Sequence, residues 1–364
     1  MTVLHISSAS TWRGGEQQIS YLVEGLAQKG VKQIIFTPRN SALSSRLSAK
    51  VSILTYRKGF SMNPLVALQL IRICKAQNVD LIHIHDSHAH NFVWLAYFFG
   101  LKTPSVLSRR VDFPIKSTSI RKYNHPRIKK IICVSNFIRG VVLEAVQDEA
   151  KVTTVHSGVL FDRIHNAHPL QMDQEFPHLK GKKIIGNIAA LAGHKDHETF
   201  VKGVAAYRDA YGLDDLHFLI VGGEGGEEEN IQHLIQELDL GEVITLIGYV
   251  DNPIDYLLAF DVFLFTSKME GLGTSVIDAM AAKIPIISTR AGGLAELIQH
   301  ERTGLSFEVG DIDGLSRQLH RLLIEEELRD GLVKSAAIRA EELSVDHMVE
   351  GTFNVYERIL NTSK

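Results

Sequence analysis

Val262-Phe-Leu-Phe-Thr266-Ser-Lys-Met-Glu270-Gly-Leu-Gly273-Thr-Ser-Val-Ile-Asp278-Ala-Met280 contains three kinds of local pattern in succession. An apolar run ends near a carboxylate, a glycine-rich turn follows, and Val276, Ile277 and Met280 recur at helical spacing. Strand, tight turn and helix in that order form the repeating unit of a parallel sheet covered by helices. Gly271 and Gly273 let the backbone approach a ligand closely. A helix N-terminus offers N–H groups and the positive end of its dipole to an anion. Glu270 cannot favour a phosphate, so it addresses something uncharged beside it, such as sugar hydroxyls. Asp278 lies about two helical turns along, within reach of a second diol such as ribose. The plain alternative is a strand–turn–helix with a capping acid and a surface Asp.

The same unit recurs along the chain. Strands are expected at Lys183–Ala189, His217–Val221, Val243–Gly248 and Pro285–Thr289, with helices between them. An earlier set runs through Val3–Ser7, Gln33–Thr37, Val51–Tyr56, Leu81–His85, Ser105–Arg109, Ile131–Ser135 and Val152–His156. Glu16–Lys29 has helical spacing, and Asn63-Pro64 reads as an N-cap followed by proline at the first helical position. Periodicity fails from Gly158 to Lys182, which reads as an interdomain linker, and three helical patterns close the chain. The expected fold class is α/β, with Rossmann-like doubly wound parallel sheets at residues 1–165 and 180–344. Ligands of such sheets sit beyond the carboxyl ends of the strands. Two sheets facing each other would form a small-molecule cleft.

A chain of 364 residues is long enough for two such domains. Hydrophobic residues at 45% and charged residues at 22% are ordinary for globular proteins. A net charge of −3 lacks the basic bias of nucleic-acid binders, so no nucleic-acid partner is expected. A local basic run, Arg121, Lys122, Arg127, Lys129 and Lys130, reads as a solvated face or as a contact for an anionic acceptor or lipid headgroups. Cys74 and Cys133 sit in apolar runs and read as core residues. The first residues enter a strand directly, and the longest apolar stretch, Phe92–Gly100, is far below the roughly 20 residues of a membrane span. A cytoplasmic location is expected.

Four further segments invite a chemical reading. Gly186-Asn-Ile-Ala-Ala-Leu-Ala-Gly193-His194-Lys195-Asp196 follows a strand and opens a helix capped by Asp196; Lys195 there can reach diphosphate oxygens as a point charge. Trp12-Arg13-Gly14-Gly15-Glu16 puts two glycines at a helix start, without the spacing of a dinucleotide fingerprint. Ile220-Val-Gly222-Gly223-Glu-Gly-Gly226 reads as a turn. His83-Ile-His85-Asp86-Ser-His88-Ala-His90 resembles a metal-ligand run, since histidines two apart on a strand share a face. Asp86 stands one place too early for the His-x-His-x-Asp-His pattern of β-lactamase-type metallohydrolases. A metal-dependent hydrolase using His83, His85 and His88 is therefore an alternative, beside polar lining that serves an acceptor.

Taken together, these segments resemble the retaining glycosyltransferases of family 4 (group 1), which have the GT-B fold of two facing Rossmann-like domains. The resemblance also rests on Val134-Ser135-Asn136, His156-Ser-Gly158-Val159, Gly292-Gly293-Leu-Ala-Glu296 and Thr303-Gly304-Leu305. It implies that the last helix, about Val345–Leu360, crosses back to the first, acceptor-binding domain, while the second binds a nucleotide-sugar donor. By the same resemblance Lys195 binds the donor diphosphate and Glu270 the donor sugar. Gly271, Leu272, Gly273 and Thr274 offer backbone groups, Asp278 holds the ribose, Gly248, Tyr249 and Val250 lie near the base, and Gly14 and Gly15 face the donor across the cleft. Three positions depart from the family pattern: Asp278 where Glu is usual, Ala190 where Arg is frequent, and Arg110 in place of a His.

The expected catalytic residues are Glu270, Lys195 and Arg110. Trp12, Glu16, Arg109, His85 and His88 are acceptor candidates. No cofactor or metal is expected. The expected reaction moves a sugar with retention to a bacterial glycan or glycolipid such as lipopolysaccharide, with peripheral contact at the inner face of the cell membrane. A sugar-nucleotide-binding homologue without activity is the alternative that the three departures keep open. A non-hydrolysing sugar-nucleotide epimerase shares the architecture but lacks the start and the Glu270 element.

Overall fold

Apolar strands alternating with amphipathic helices assemble two parallel sheets in the computed structural model, which describes residues 1–47, 49–60, 62–223 and 225–361. Unit 1 comprises Met1–Gly158 and Val345–Lys364. It is built from β1 (Thr2–Ile6), α1 (Gly14–Gln28), β2 (Lys32–Pro38), α2 (Ala42–Leu47), β3 (Ser52–Tyr56), α3 (Pro64–Ala76), β4 (Leu81–Ile84), α4 (Ser87–Phe98), β5 (Ser105–Arg109), α5 (Ser117–Tyr123), β6 (Ile128–Cys133), α6 (Asn136–Leu143) and β7 (Val152–Thr154). Its strand order is β3-β2-β1-β4-β5-β6-β7. The chain steps one way from β1 to β3 and the other way from β3 to β7. Right-handed crossovers therefore put α1 and α2 on one face and α3 to α6 on the other.

Local chemistry sets the helix starts. Asn63 accepts from the Leu65 N–H at 3.0 Å with Pro64 at the first helical position. Asp86 and Ser135 cap α4 and α6 in the same way, at 2.8 and 3.1 Å.

Unit 2, Val159–Ser344, contains α7 (Phe161–His165), α8 (Met172–Glu175), β8 (Lys183–Ile188), α9 (His197–Tyr211), β9 (Leu216–Val221), α10 (Glu228–Glu237), β10 (Ile244–Gly248), α11 (Pro253–Leu257), β11 (Val262–Phe265), α12 (Thr274–Ala281), β12 (Ile286–Thr289), α13 (Leu294–Leu297), β13 (Leu305–Phe307), α14 (Ile312–Ile324) and α15 (Glu326–Glu341). The strand order is β10-β9-β8-β11-β12-β13. Phe200, Phe218, Leu264, Ile287, Leu315 and Leu319 form the centre of its core, with no more than a trace of exposure. The last helix, α16 (Val345–Asn361), belongs to unit 1, where Val349 packs on Gly25 of α1 and Tyr356 is fully buried.

Two features differ from the sequence reading. The stretch 159–182, expected to link the units, belongs to unit 2: it carries α7 and α8, buries Leu179, and ties Leu170 N–H to the Asp255 carbonyl at 2.9 Å. Helices this short show no periodicity to read. The strand β13 also went unread.

Candidate active site

In unit 2 the chemistry gathers where β8 and β11 end. Asn187, the fifth residue of β8, donates to the Leu264 carbonyl at 2.7 Å and pairs with His197 at 3.1 Å, which joins the two strand ends to the start of α9. Burial holds His197 near 4, so the ring is neutral there. Asp196 caps α9 from a left-handed backbone (φ 55°) and pairs with Lys268 at 2.9 Å. Lys268 N–H reaches the His194 carbonyl at 2.8 Å, and Thr266 Oγ1 donates to the Lys195 carbonyl at 3.1 Å. The loops after β8 and β11 are thus laced together. Lys195 Nζ contacts Glu270 Oε2, with both side chains under one-fifth exposed, and Lys195 also lies over the Phe265 ring.

Glycines make this arrangement possible. Gly293 donates its N–H to the Glu270 carbonyl at 2.8 Å. A Cβ on Gly292 would come 2.3 Å from that oxygen, and one on Gly293 would come 2.2 Å from the Gly271 carbonyl. The turn after β12 therefore supports the Glu270 loop backbone to backbone. Gly222 and Gly225 do the same for the loop that carries Lys195, where a Cβ would meet Ala189 O at 1.8 Å and Leu191 at 2.4 Å. That explains the glycine-rich turn after β9, whose Glu224 lies outside the described residues. Gly273 (φ 97°) heads α12 without a capping side chain; Val276 N–H turns back to the Gly273 carbonyl at 3.1 Å, and the Thr274 and Ser275 N–H groups face the helix start, where an anion would be favoured.

Asp278 lies on the second turn of α12 with its side chain 22% exposed, and Arg163 of α7 stands 4.0 Å away. Burial pushes the Asp278 carboxyl up to about 6, against the pull of Arg163. Tyr249 is exposed beside Gly248 (φ 81°), with its hydroxyl 3.2 Å from Asp251 and its Cβ against Gly223.

In unit 1 the histidines form a buried network. Gln33 donates to the Val23 carbonyl at 2.8 Å, which turns its Oε1 toward His5 Nε2 at 3.1 Å. His5 Nε2 therefore carries the proton, and His5 Nδ1 accepts from His85 Nε2 at 3.0 Å. His83 lies between the Tyr356 hydroxyl at 2.5 Å and Ser108 Oγ at 2.7 Å. Burial holds His5 at about 4 and His83 and His85 well below their ordinary value, so all three are neutral near pH 7. Among the described residues, the cluster that could ligate a metal is His5, His83 and His85, not the His83, His85 and His88 of the alternative reading. Asp86 starts α4 and leaves His88 exposed on its first turn. All three rings are buried, and His5 and His83 use both ring nitrogens in hydrogen bonds while His85 Nδ1 has no partner; a closed cluster does not fit the open coordination position of a hydrolytic metal.

Arg110 follows β5. Its chain passes 3.8 Å from where a Gly15 Cβ would stand, and its Nε has no hydrogen-bond partner. Arg109 is occupied structurally: it donates to the Tyr123 hydroxyl at 3.0 Å and to the Phe113 carbonyl, which pins the loop after β5. Trp12 lies 4.4 Å from the Arg46 guanidinium, and Glu16 closes the start of α1 by accepting from Arg13 N–H at 3.1 Å.

Two family models match the chain. Residues 12–163 match the model described as Glycosyltransferase Family 4, and residues 171–339 match Glycosyl transferases group 1. The chain belongs to the group 1, family 4 glycosyltransferases. The 2-deoxystreptamine N-acetyl-D-glucosaminyltransferase of Niallia circulans is 27% identical over 361 residues, 88% of this chain and 91% of the relative. The lipopolysaccharide core biosynthesis glycosyltransferase LpsE of Rhizobium meliloti is 22% identical, covering 88% of each chain. The structure of Anabaena HepE in complex with UDP and glucose superposes with a TM-score of 0.85 at 16% identity, over 98% of this chain and 99% of that one, and shows the shared GT-B fold.

Within this glycosyltransferase, the fold brings Lys195, Glu270, Gly271, Leu272, Gly273, Thr274 and Asp278 to one end of the unit 2 sheet, with Leu272 itself buried. The sequence reading missed Arg163 beside Asp278, His5 beside His85, and the supporting role of Gly292 and Gly293. Arg163 lay inside the presumed linker, and nothing local marked it.

Proposed function

We propose that this glycosyltransferase moves a sugar from a nucleoside diphosphate sugar to a hydroxyl of a bacterial glycan or glycolipid, with retention and without a metal ion. The observation that carries the donor half is the Lys195–Glu270 pair beside the uncapped start of α12. Lys195 and the first N–H groups of α12 address the diphosphate, Glu270 the sugar hydroxyls, and Asp278 the ribose. Gly248, Tyr249 and Val250 lie by the base. In unit 1 we assign Gly14, Gly15 and Arg110 to ligand contact, with Trp12, Glu16 and His85 behind them. HepE was crystallised with UDP, which makes uridine the first base to test.

In the proposed step the bond from the anomeric carbon to the phosphate oxygen breaks while the acceptor hydroxyl oxygen bonds to the same face. The hydroxyl proton passes to the departing phosphate oxygen. Lys195 and the α12 dipole stabilise the charge that develops on the diphosphate. The relatives' names span a 2-deoxystreptamine acceptor and the lipopolysaccharide core. We favour the lipid-linked class, with the enzyme at the cytoplasmic face of the membrane.

A thermal-shift screen with UDP, GDP, ADP, TDP and CMP, with and without EDTA, tests the donor reading. UDP is expected to raise the melting temperature by several degrees, unchanged by EDTA; saturation at about a hundred times Kd adds about 2.7 kcal/mol. No response to any of the nucleotides would overturn the reading.

A further inference from the structure

Among the described residues of unit 1, four buried side-chain nitrogens have no hydrogen-bond partner: His85 Nδ1, His90 Nε2, Arg109 Nε and Arg110 Nε. A polar atom buried unpaired costs stability, so each calls for a physical reason. His90 and Arg109 border the Tyr123 ring, on the side of the sheet that carries α4 and α5. His85 and Arg110 lie on the other side. Side chains alternate along a strand, and His83 meets Ser108 across the paired β4 and β5. His85 and Arg110, each two residues further on, continue that face just past the ends of the two strands. Arg110 lies within electrostatic range of His83 and His85, and its chain runs beside Gly15 of α1.

The hydrogen-bond chain decides which of these two atoms donates. Gln33 gives its amide N–H to the Val23 carbonyl and accepts from His5 Nε2, so His5 Nδ1 accepts the Nε2–H of His85. A neutral imidazole carries one N–H, which leaves His85 Nδ1 as a bare lone pair. Burial first, then the neighbouring His83, His5 and Arg110, keep that ring neutral near pH 7. Arg110 Nε always carries its proton. One orphan acceptor and one orphan donor thus share a small region, and a hydroxyl oxygen is the single atom that serves both. An anion does not suit the place: it has no proton for His85, and Glu16 and Asp86 already act on the Arg110 charge. Both carboxylates are held locally, Glu16 by Arg13 N–H and Asp86 by Ser8 and Ala89.

We propose that His85 Nδ1 and Arg110 Nε form a slot for one uncharged hydroxyl of a substrate sugar, which donates to His85 and accepts from Arg110. The slot lies past the carboxyl ends of β4 and β5, where ligands of parallel sheets sit, near the glycines that start α1. The assignment deepens the proposed function, moving His85 from behind the ligand contacts into them, and rests on that reading for the ligand being a sugar. A sugar that lacks this hydroxyl, or carries a carboxylate there, leaves a buried atom unpaired or repelled and is rejected. His83 takes no part in the contact, since Tyr356 and Ser108 occupy its nitrogens.

The first test is a crystal structure of the full chain that resolves ordered water. One oxygen is expected at about 2.7–3.2 Å from both His85 Nδ1 and Arg110 Nε. A direct bond between the two atoms, a protein partner for either, or a gap too wide for one oxygen to bridge would overturn the proposal. The second test uses substitutions that separate a substrate contact from a packing role. His85→Asn keeps an acceptor where Nδ1 stands, whereas His85→Gln keeps a donor toward His5. The readout is UDP release from UDP-glucose and UDP-N-acetylglucosamine, in water alone and then with methyl β-D-glucopyranoside. His85→Gln and Arg110→Lys are expected to raise a substrate KM about ten-fold, and His85→Asn no more than about three-fold. A rise in the KM of the UDP-sugar in water alone assigns the hydroxyl to the donor; a rise only in the KM of the glucoside assigns it to the acceptor. Rescue by Gln and not by Asn, or unchanged KM values in all three variants, would overturn the slot. The thermal shift with UDP reports the donor reading separately: without that shift the proposed function fails, while the crystal structure still decides the slot.

Discussion

Unit 1 and unit 2 share a parallel α/β plan, yet they treat polar groups in opposite ways. Unit 2 brings charges to its strand ends: Lys195 against Glu270, and Asp278 near Arg163, on loops that glycines hold backbone to backbone. Unit 1 withdraws its polar groups. His5, His83 and His85 are buried and neutral; Gln33, Ser108 and Tyr356 hold His5 and His83, and His85 bonds His5 while its Nδ1 has no partner. The loops of unit 1 present apolar and cationic side chains. The scaffold fixes where a ligand can sit, and the loop chemistry decides its kind.

The comparison breaks most readily at the unit 2 pair. Glu270→Ala and Lys195→Ala are each expected to lower kcat by about 10²–10³-fold, while circular dichroism shows a preserved fold. Full activity in both would remove the donor site from unit 2. Each single change leaves its partner charge alone in a mostly buried place, so a stability loss of about 1–3 kcal/mol is expected in denaturant titration. Gly293→Ala comes next. Its Cβ would press on the Gly271 carbonyl at 2.2 Å, so the Glu270 loop must shift. Activity is expected to fall by about ten-fold or more, with about 1–3 kcal/mol of destabilisation.

Asp278 sharpens the contrast through pH. Its carboxyl titrates near 6, so above that value it is a carboxylate able to accept ribose hydroxyls, and below it the carboxyl is protonated. Donor KM is expected to rise a few-fold as pH falls through 6, and Asp278→Asn to flatten that profile. A profile unchanged by the substitution would assign the ribose elsewhere.

The smallest expected effect separates the units in acid. Unit 1 buries His5, His83, His85 and His90 with depressed values, and unit 2 buries His197 and His217. Each has a folded value below its unfolded 6.5, so its stabilising contribution is present above 6.5 and is lost as pH falls below it. Unit 1 should therefore yield first. Both tryptophans, Trp12 and Trp94, belong to it. The acid transition followed by tryptophan fluorescence is expected at higher pH than that followed by far-ultraviolet circular dichroism; coincident transitions would contradict the contrast.

Much of this was legible in the sequence. Alternating apolar strands and helical spacing marked nearly every strand of both sheets, and Asn63-Pro64 and Asp196 marked helix starts by cap chemistry. The Glu270–Asp278 element was legible because strand, glycine turn and helix are continuous there. What escaped depends on long-range packing. His5 joins His85 only because the sheet sets β1 beside β4, and Asp86 turns His88 outward by starting a helix. Nothing in the sequence marked that Arg109, an acceptor candidate, donates to Tyr123 and to the Phe113 carbonyl.

The chain leaves unit 1 after Gly158 and returns to it at Val345. At that crossing Val159 donates its N–H to the Leu343 carbonyl at 2.8 Å and bridges Ser344. During synthesis, unit 2 can therefore close on itself before α16 exists, whereas unit 1 must wait. His83 lacks its phenolic partner, and α1 lacks its cover over Gly25, until Val349 and Tyr356 leave the ribosome. A product stalled or cut short of that helix carries a finished unit 2 joined to a unit 1 whose His83 and Gly25 still lack their partners.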